Sequence, residues 1–536
     1  MSRVSVAGII LVPQEHPTIA AAIAAASSGD IIQLAPGTYT EPFSFGAVGV
    51  TIRGDPNAPS SVVVAPTSGP PRSAFVVSAE PNGGTVAFEG LTFGGHVKYV
   101  VSAGALSITA CATTPTAGGA SVAFTVTLGS LEVDGLDVPD LGALPALPLF
   151  TVDEGTASIL DVGIAQGARP VALLSDASSV LETVLIQNLT LTSGAAVTVL
   201  NGEASILDGS FTGISDAIGI SGTGAAITIV GCSFASIGNP ASGTARAIAV
   251  VGPTVTIVDC SITGCGGRFA PASAATLQCP GILVKNTTIS NNNLSETGAG
   301  ALLLSGIGTI QTTTFDGNST KELGGAIRLT GAYSIESCVF RNNIGGAGDG
   351  AVSVDGGGAF YGCDFFDNHA GDGQGNDDIY GGAVTVHGGQ GVFVECSFSG
   401  NVAGSDGKSI GYGGAVASLN GVLAFDSCMI VGNTAQDLAG GIYLDPSAGE
   451  LLMENTTVCS NVPDQIIGIY NDLGGNTVCG CLGDLNGNDG IAADDLAALL
   501  GAWGPCESCA EDLNADDKVD AADLAVLLGA WGGCAS

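Results

Sequence analysis

The chain has 536 residues, 83 of them glycine, with 46% hydrophobic and only 5% aromatic residues, so it is too apolar for a disordered chain. Fifty acidic residues against 13 basic ones give a net charge of −37, a surface that repels nucleic acid and anionic membranes. No run of about 20 apolar residues occurs, so no membrane-spanning helix is expected.

The opening segment reads as a cap. Pro17-Thr18-Ile19 leads an alanine-rich amphipathic helix through Ile23 to Ala26, and Gly29-Asp30 ends it. Ile31-Ile32-Gln33-Leu34 then begins the first strand, and Ala35-Pro36-Gly37-Thr38-Tyr39 is a turn. A stack of repeats needs its open apolar end covered, and a helix across the end does this. Residues 1–60 are assigned to this cap and the first coils.

From 61 to 478 the chain repeats a short unit, faint before residue 230 (Phe88 to Phe93, Leu131 to Leu136, Ile159 to Ile164, Leu185 to Leu191) and clear after it. The apolar positions Phe211, Phe234, Ile262, Ile289, Phe315, Phe340, Phe365, Phe398 and Ile430 follow one another at 23 to 33 residues. Such a period, with strands of three to five residues, marks a solenoid of about fifteen coils. Like residues then stack into ladders. One comprises Cys232, Cys260, Cys338, Cys363, Cys396 and Cys428, read as small buried hydrophobes. Another is Phe315, Phe340, Phe365 and Phe398. A third comprises Asn318, Asn343, Asn368, Asn401, Asn433 and Asn461, whose amides can bond along the axis.

The repeats carry Gly324-Gly325-Ala326, Gly381-Gly382-Ala383, Gly413-Gly414-Ala415 and Gly440-Gly441-Ile442, together with Phe-x-x-Asn as in Phe315 to Asn318. With these motifs the chain resembles the repeats of chlamydial polymorphic outer-membrane proteins. More broadly it resembles the right-handed parallel β-helix, or pectate-lyase-like, superfamily. The resemblance implies a mainly β, right-handed parallel β-helix.

Chemistry on such a coil needs convergent charges: paired carboxylates for hydrolysis, or a base beside a cation for elimination. Arg328 and Arg341 are the nearest basic pair, and no acid cluster is expected around them. His369 and His387 read as surface or turn residues, and no catalytic residue is assigned. The best local constellation is in the longest coils: Asp372, Asp377, Asp378 and Tyr380, then Asp406 and Tyr412. Each tyrosine precedes Gly-Gly-Ala-Val, so the two should stack on adjacent coils. Their faces would hold a sugar ring while the carboxylates hold calcium or hydroxyls.

Residues 479–536 contain an acidic loop and a leucine helix, each present twice at an offset of 28 residues. Oxygen side chains at alternate loop positions wrap a hard divalent cation. The calcium ligands expected are Asp484, Asn486, Asn488, Gly490 (by its carbonyl) and Asp495. In the second loop they are Asp512, Asn514, Asp516, Lys518 (by its carbonyl), Asp520 and Asp523. Ile491 and Val519 would pair the loops back to back. Leu496, Leu499, Leu500 and Trp503 share a helical face, as do Leu524, Leu527, Leu528 and Trp531. The duplicated pattern resembles a type I dockerin, a small α-helical domain of tandem EF-hand-like loops that binds Ca2+. That family has Gly at loop position 6, where this chain has Asp489 and Asp517. At positions 10 and 11, where well-known members often carry hydroxyls, stand Ala493-Asp494 and Ala521-Ala522. Cys481, Cys506, Cys509 and Cys534 bracket the loops and are expected to form two disulfides of open connectivity, which implies an oxidising compartment.

The resulting expectation is a secreted or cell-surface β-helix. It would serve as a non-catalytic adhesion or glycan-binding scaffold attached to a cohesin-like or cell-wall protein. The alternative is a polysaccharide lyase or glycoside hydrolase targeted by the tail.

Overall fold

The computed structural model describes residues 7–46, 48–66, 74–78, 84–102, 104–114, 121–141, 147–191, 194–238, 245–267, 270–293, 300–346, 348–371, 378–404, 410–479, 483–485, 490–506, 509–514 and 518–533. The chain forms two units, residues 1–270 with 274–282, and residues 271–273 with 283–536. Each is a parallel β-solenoid, and the second also holds the C-terminal module.

In the first unit each coil contributes one short strand to each of three parallel sheets. Ala195–Leu200, Ile218–Thr223 and Ile248–Val251 stack in the first sheet. Glu203–Leu207, Ala226–Val230 and Thr254–Val258 stack in the second. Ser210–Thr212, Ser233–Ala235 and Ser261–Thr263 stack in the third. Alternation decides which residues face in: Ala204, Ile206, Ile227, Ile229, Val255 and Ile257 are buried, and the residues between them point out. The helix Ile19–Ala25 starts at Thr18, whose hydroxyl accepts from the Ala21 N–H at 3.1 Å, and buries Ile19, Ala22 and Ile23. Two expectations for this region change. Ile9–Val12 is an earlier strand, paired with Ile31–Leu34, and Gly37–Tyr39 is a strand beside Val62–Val64 instead of a turn.

In the second unit the coils are more regular. Val352–Val354, Gly357–Tyr361 and Asp364–Phe366 make one coil, and Val384–Val386, Gln390–Val394 and Ser397–Ser399 the next. A fourth short sheet runs through Ser319–Thr320, Ile344–Gly345, His369–Ala370, Val402–Ala403 and Thr434–Ala435. His369 is therefore a strand residue. Rings of Phe315, Phe340, Phe365 and Phe398 stack with centroids 4.7–4.8 Å apart and planes within 4°. The Asn ladder is also present. Each Nδ2 donates to the next coil's Oδ1, as from Asn318 to Asn343 at 3.0 Å, and to a backbone carbonyl such as Ile289 O at 2.8 Å. It begins one coil earlier than expected, at Asn292, and ends on Gln465.

The cysteine position has a local cause. Each Sγ donates to the carbonyl two residues earlier, as Cys338 does to Glu336 at 3.3 Å. Coils without cysteine place Thr287, Thr313 or Thr456 there, and their hydroxyls donate to the same carbonyl at 2.9 Å. The corner calls for a small donor, and the thiols of the ladder are buried and form no disulfides.

The C-terminal segment has two helices, Ala493–Gly501 and Ala521–Gly529, around a core of Ile491, Leu499, Val519 and Leu527. Ile491 and Val519 share this core but do not pair with each other. Ile491 pairs antiparallel with Gly532, and Val519 with Gly504. The offset of 28 residues maps one pair onto the other, so each repeat completes its partner. The leucine face also divides. Leu499 and Leu527 are fully buried, whereas Leu500, Trp503, Leu528 and Trp531 are 47–51% exposed. Disulfides join Cys506 to Cys509 and Cys459 to Cys479, the second one unforeseen; Cys481 and Cys534 lie outside the described residues.

Candidate functional site

One register position of the first sheet of the second unit points away from the core, yet Ser353, Thr385 and Ala417 on it are fully buried, Tyr443 is 8% exposed, and only Arg328 is part-exposed. Arg328, Ser353, Thr385, Ala417 and Tyr443 occupy one register position on successive coils. Two residues further along two of these strands come Asp355 and His387. Arg328 Nε donates to Asp355 Oδ2 at 2.7 Å, and His387 Nε2 lies 2.7 Å from Asp349 Oδ2. Arg328 thus pairs with the single carboxylate of Asp355, while Asp349 belongs to His387. Arg341 pairs separately with Asp316 at 2.9 Å.

Asp349 is the unusual member. It precedes Gly350-Ala351-Val352 and so replaces the first glycine of the Gly-Gly-Ala motif. Gly324, Gly381 and Gly413 hold that place in other coils at φ between +48° and +67°. Its side chain is fully buried, and its Oδ1, like Ser353 Oγ beside it in the coil, has no hydrogen-bond partner among the described residues. A buried carboxylate oxygen left unpaired is costly, which makes Asp349 a candidate functional residue. Burial pulls the His387 pKa down, but the hydrogen bond and charge of Asp349, with Asp355 adding to it, win and leave it raised.

Beside this sheet, a separate pair of strands and one strand of the sheet itself build an aromatic ladder. Tyr380 and Tyr412, in the paired strands Asp378–Tyr380 and Ile410–Tyr412, stack at 5.1 Å and 15°. Tyr443 extends the ladder at 4.8 Å from Tyr412. It packs with Ala417 and Ala439, whose small side chains leave room for the rings. Tyr380 Oη bonds Asp378 Oδ2 at 3.3 Å, and Thr385 Oγ1 donates to the Tyr380 carbonyl at 3.0 Å, tying this strand to the sheet. Burial and nearby carboxylates (Asp378 for Tyr380; Asp378, Asp437 and Asp445 for Tyr412; Asp445 for Tyr443) push all three phenols up. They stay neutral donors. A cleft of about 770 Å³ adjoins Tyr443, lined also by Leu438, Asp445, Ile467 and Ile469.

The stack of Tyr380 on Tyr412 is as expected, and Asp378 lies at its edge; Asp372, Asp377 and Asp406 lie outside the described residues. Tyr443 was missed because it comes from the sheet strand itself, not from the segment before the glycine pair. Asp349 did leave a signal: a charged residue at a glycine place in the repeat.

In the tail, Asp495 Oδ1 and Oδ2 accept from the N–H groups of Leu485 and Ala492, at 2.8 and 2.9 Å. Asp523 repeats this with Leu513, Asn514 and Asp520, at 2.7–3.1 Å. Burial of Asp523 works against ionisation, but these bonds outweigh it and lower its pKa. Among the described residues no group of three or more carboxylate, imidazole or thiol side chains converges on one point. Asn486, Asn488 and Asp516 lie outside the described residues.

No family model matches the chain, and no curated protein matches it. Among solved structures it is similar to a mannuronic acid specific polysaccharide family 6 lyase from human gut microbiota. Identity is 11%, covering 84% of this chain and 86% of that one, with a TM-score of 0.25. It is also similar to a mutant of the PL6 family alginate lyase AlyGC, at 10% identity over 88% of this chain and all of that one, with a TM-score of 0.17. Likeness at these TM-scores carries no functional argument.

Proposed function

We propose that the chain is a secreted or cell-surface protein that binds a polysaccharide along the outward face of its second unit. In this reading its coils are those of a right-handed, pectate-lyase-like β-helix, with the first helix as its cap. The observation that carries the proposal is the ladder of Tyr380, Tyr412 and Tyr443 edged by Asp378, Asp437 and Asp445. Because the rings stack on one another, what Tyr380 and Tyr412 offer a sugar is their edges and phenol hydroxyls, and the carboxylates beside them accept from its hydroxyls. The spacing along successive coils suits an extended chain. Binding to a polysaccharide panel tests this: Tyr412→Ala should abolish retention, and undiminished retention would overturn it.

The C-terminal module is, in the same proposal, a dockerin-like tether. Its loops offer the all-oxygen donor set that suits Ca2+, from Asp484, Asp495, Asp512, Asn514, Asp520 and Asp523. The exposed Leu500, Trp503, Leu528 and Trp531 would meet a cohesin-like or cell-wall protein. A second reading, a polysaccharide lyase or glycoside hydrolase, is favoured by the convergence of Arg328, Asp355, His387 and Asp349 on one face.

A further inference from the structure

We propose that the polysaccharide held at the tyrosine ladder bears free amines, an amino-sugar polymer whose ammonium groups meet the phenol oxygens and the carboxylates of Asp378, Asp437 and Asp445. This rests on the binding reading and names the substrate class of that site.

Three observations carry it. First, the carboxylates are fixed at the ladder. Asp437 Oδ2 accepts from the Gly411 N–H at 2.9 Å, next to Tyr412 in the chain. Asp445 follows Tyr443 by two residues, and its Oδ1 accepts from the N–H and the hydroxyl of Ser447 at 2.8 and 2.6 Å. Asp378 accepts from the Tyr380 hydroxyl at 3.3 Å. Burial, and then all three of these charges, push the Tyr412 phenol up, so each carboxylate reaches the middle of the ladder.

Second, this negative charge is uncompensated. The ion pairs of the second unit's described residues lie elsewhere, at Arg328–Asp355, Arg341–Asp316, His387–Asp349 and Lys518–Asp520. Among the described residues no lysine or arginine lines the adjoining cleft of about 770 Å³, whereas Asp445 and Glu450 do. A uronate or sulfated chain would meet like charge here, and an ammonium opposite charge.

Third, the ladder is a set of acceptors. Tyr380 gives its proton to Asp378, which leaves its oxygen lone pairs for an incoming donor. Its face and that of Tyr412 cover each other at 5.1 Å, so attraction of a cation to the rings' faces is not the means of recognition. An ammonium has three donors and no acceptor, which matches phenol oxygens set among carboxylates. Acetylating the amine removes the charge and two of the donors. Leu438, Ile467 and Ile469 in the cleft supply apolar surface for the C–H groups of the sugar.

The test measures retention of the full chain on chitosan, on its N-acetylated form, on cellulose and on alginate. Chitosan should be held at least about tenfold more tightly than its acetylated form, and the two should converge in ~1 M salt. The double variant Asp437→Asn with Asp445→Asn keeps an acceptor oxygen for Gly411 and Ser447 and should fold. It should bring the ratio of the two affinities close to one. That ratio is read within one protein, so a loss of folded material lowers both affinities alike. Three results overturn the proposal: equal retention of the amine and acetylated polymers, stronger retention on alginate, or a preference for chitosan that the double variant keeps. The last would assign the preference to the acidic surface at large. If Tyr412-dependent retention on the acetylated polymer or cellulose accompanies any of these, the binding reading stands and only the amine assignment falls. If Tyr412→Ala changes retention on no polymer, both fall.

Discussion

Asn343 and Asn368 sit on adjacent coils and are joined twice, the Asn368 Oδ1 accepting from both the backbone N–H and the Nδ2 of Asn343, at 3.1 and 3.0 Å. Both side chains are fully buried. Each link thus satisfies a donor that water cannot reach, and each orphaned group costs about 1–3 kcal/mol. Asn368→Ala should lower the urea midpoint markedly, because it orphans two donors on Asn343 and removes a donor from the Phe340 carbonyl. Asn368→Asp should also destabilise, since it replaces a donor by an acceptor. An unchanged midpoint for both variants would refute the ladder as a stabilising element.

Phe365 lies between Phe340 and Phe398 with both neighbouring centroids within 4.8 Å. Phe365→Ala should cost about 3–5 kcal/mol, from lost transfer energy and the cavity left behind. Denaturant unfolding measures this.

In the tail, Leu499 is fully buried and Leu500 half exposed. Leu499→Ala should cost about 2–5 kcal/mol. Leu500→Ala should stay within about 0.5 kcal/mol, because no core contact is lost. Equal effects would contradict the division of the helix face. For the proposed tether, only Leu500→Ala should weaken capture by a protein partner while leaving the fold intact.

The proposed calcium sites predict that a chelator unfolds the region after Cys479 and leaves the strand signal of the solenoid. Circular dichroism with and without chelator checks this. Asp512→Ala should remove calcium uptake by the second loop, measured by titration calorimetry.

His387 has a raised pKa in the fold. Its pairing with Asp349 therefore adds stability that is fully present below the ordinary imidazole value of 6.5 and is lost as pH rises through the raised folded value. His387→Gln should flatten stability against pH across that window. A melting series in matched buffers reads it.

Much of the solenoid was legible before any coordinates. Phe315, Phe340 and Phe365 recur because each coil must present the same shape to the next, so spacing along the chain records stacking in space. The Asn ladder was readable for the same reason, although its ends at Asn292 and Gln465 were not, since they lack the full motif. The stack of Tyr380 on Tyr412 was likewise visible, because both precede the same glycine pair.

The charged cluster was not visible. Asp355 and His387 hold equivalent places on adjacent coils, but Arg328 and Asp349 stand at other places of the repeat, so spacing does not bring the four together. The sequence by itself determined that coils form, which residues fill them and that the tail is a duplicated helix unit, because these follow from periodicity and local burial. Only the tertiary structure decided that His387 reaches back to Asp349, that Tyr443 joins the aromatic ladder, and that Ile491 pairs with Gly532 instead of Val519. Those outcomes depend on lateral distances between coils or repeats, which one-dimensional spacing does not encode.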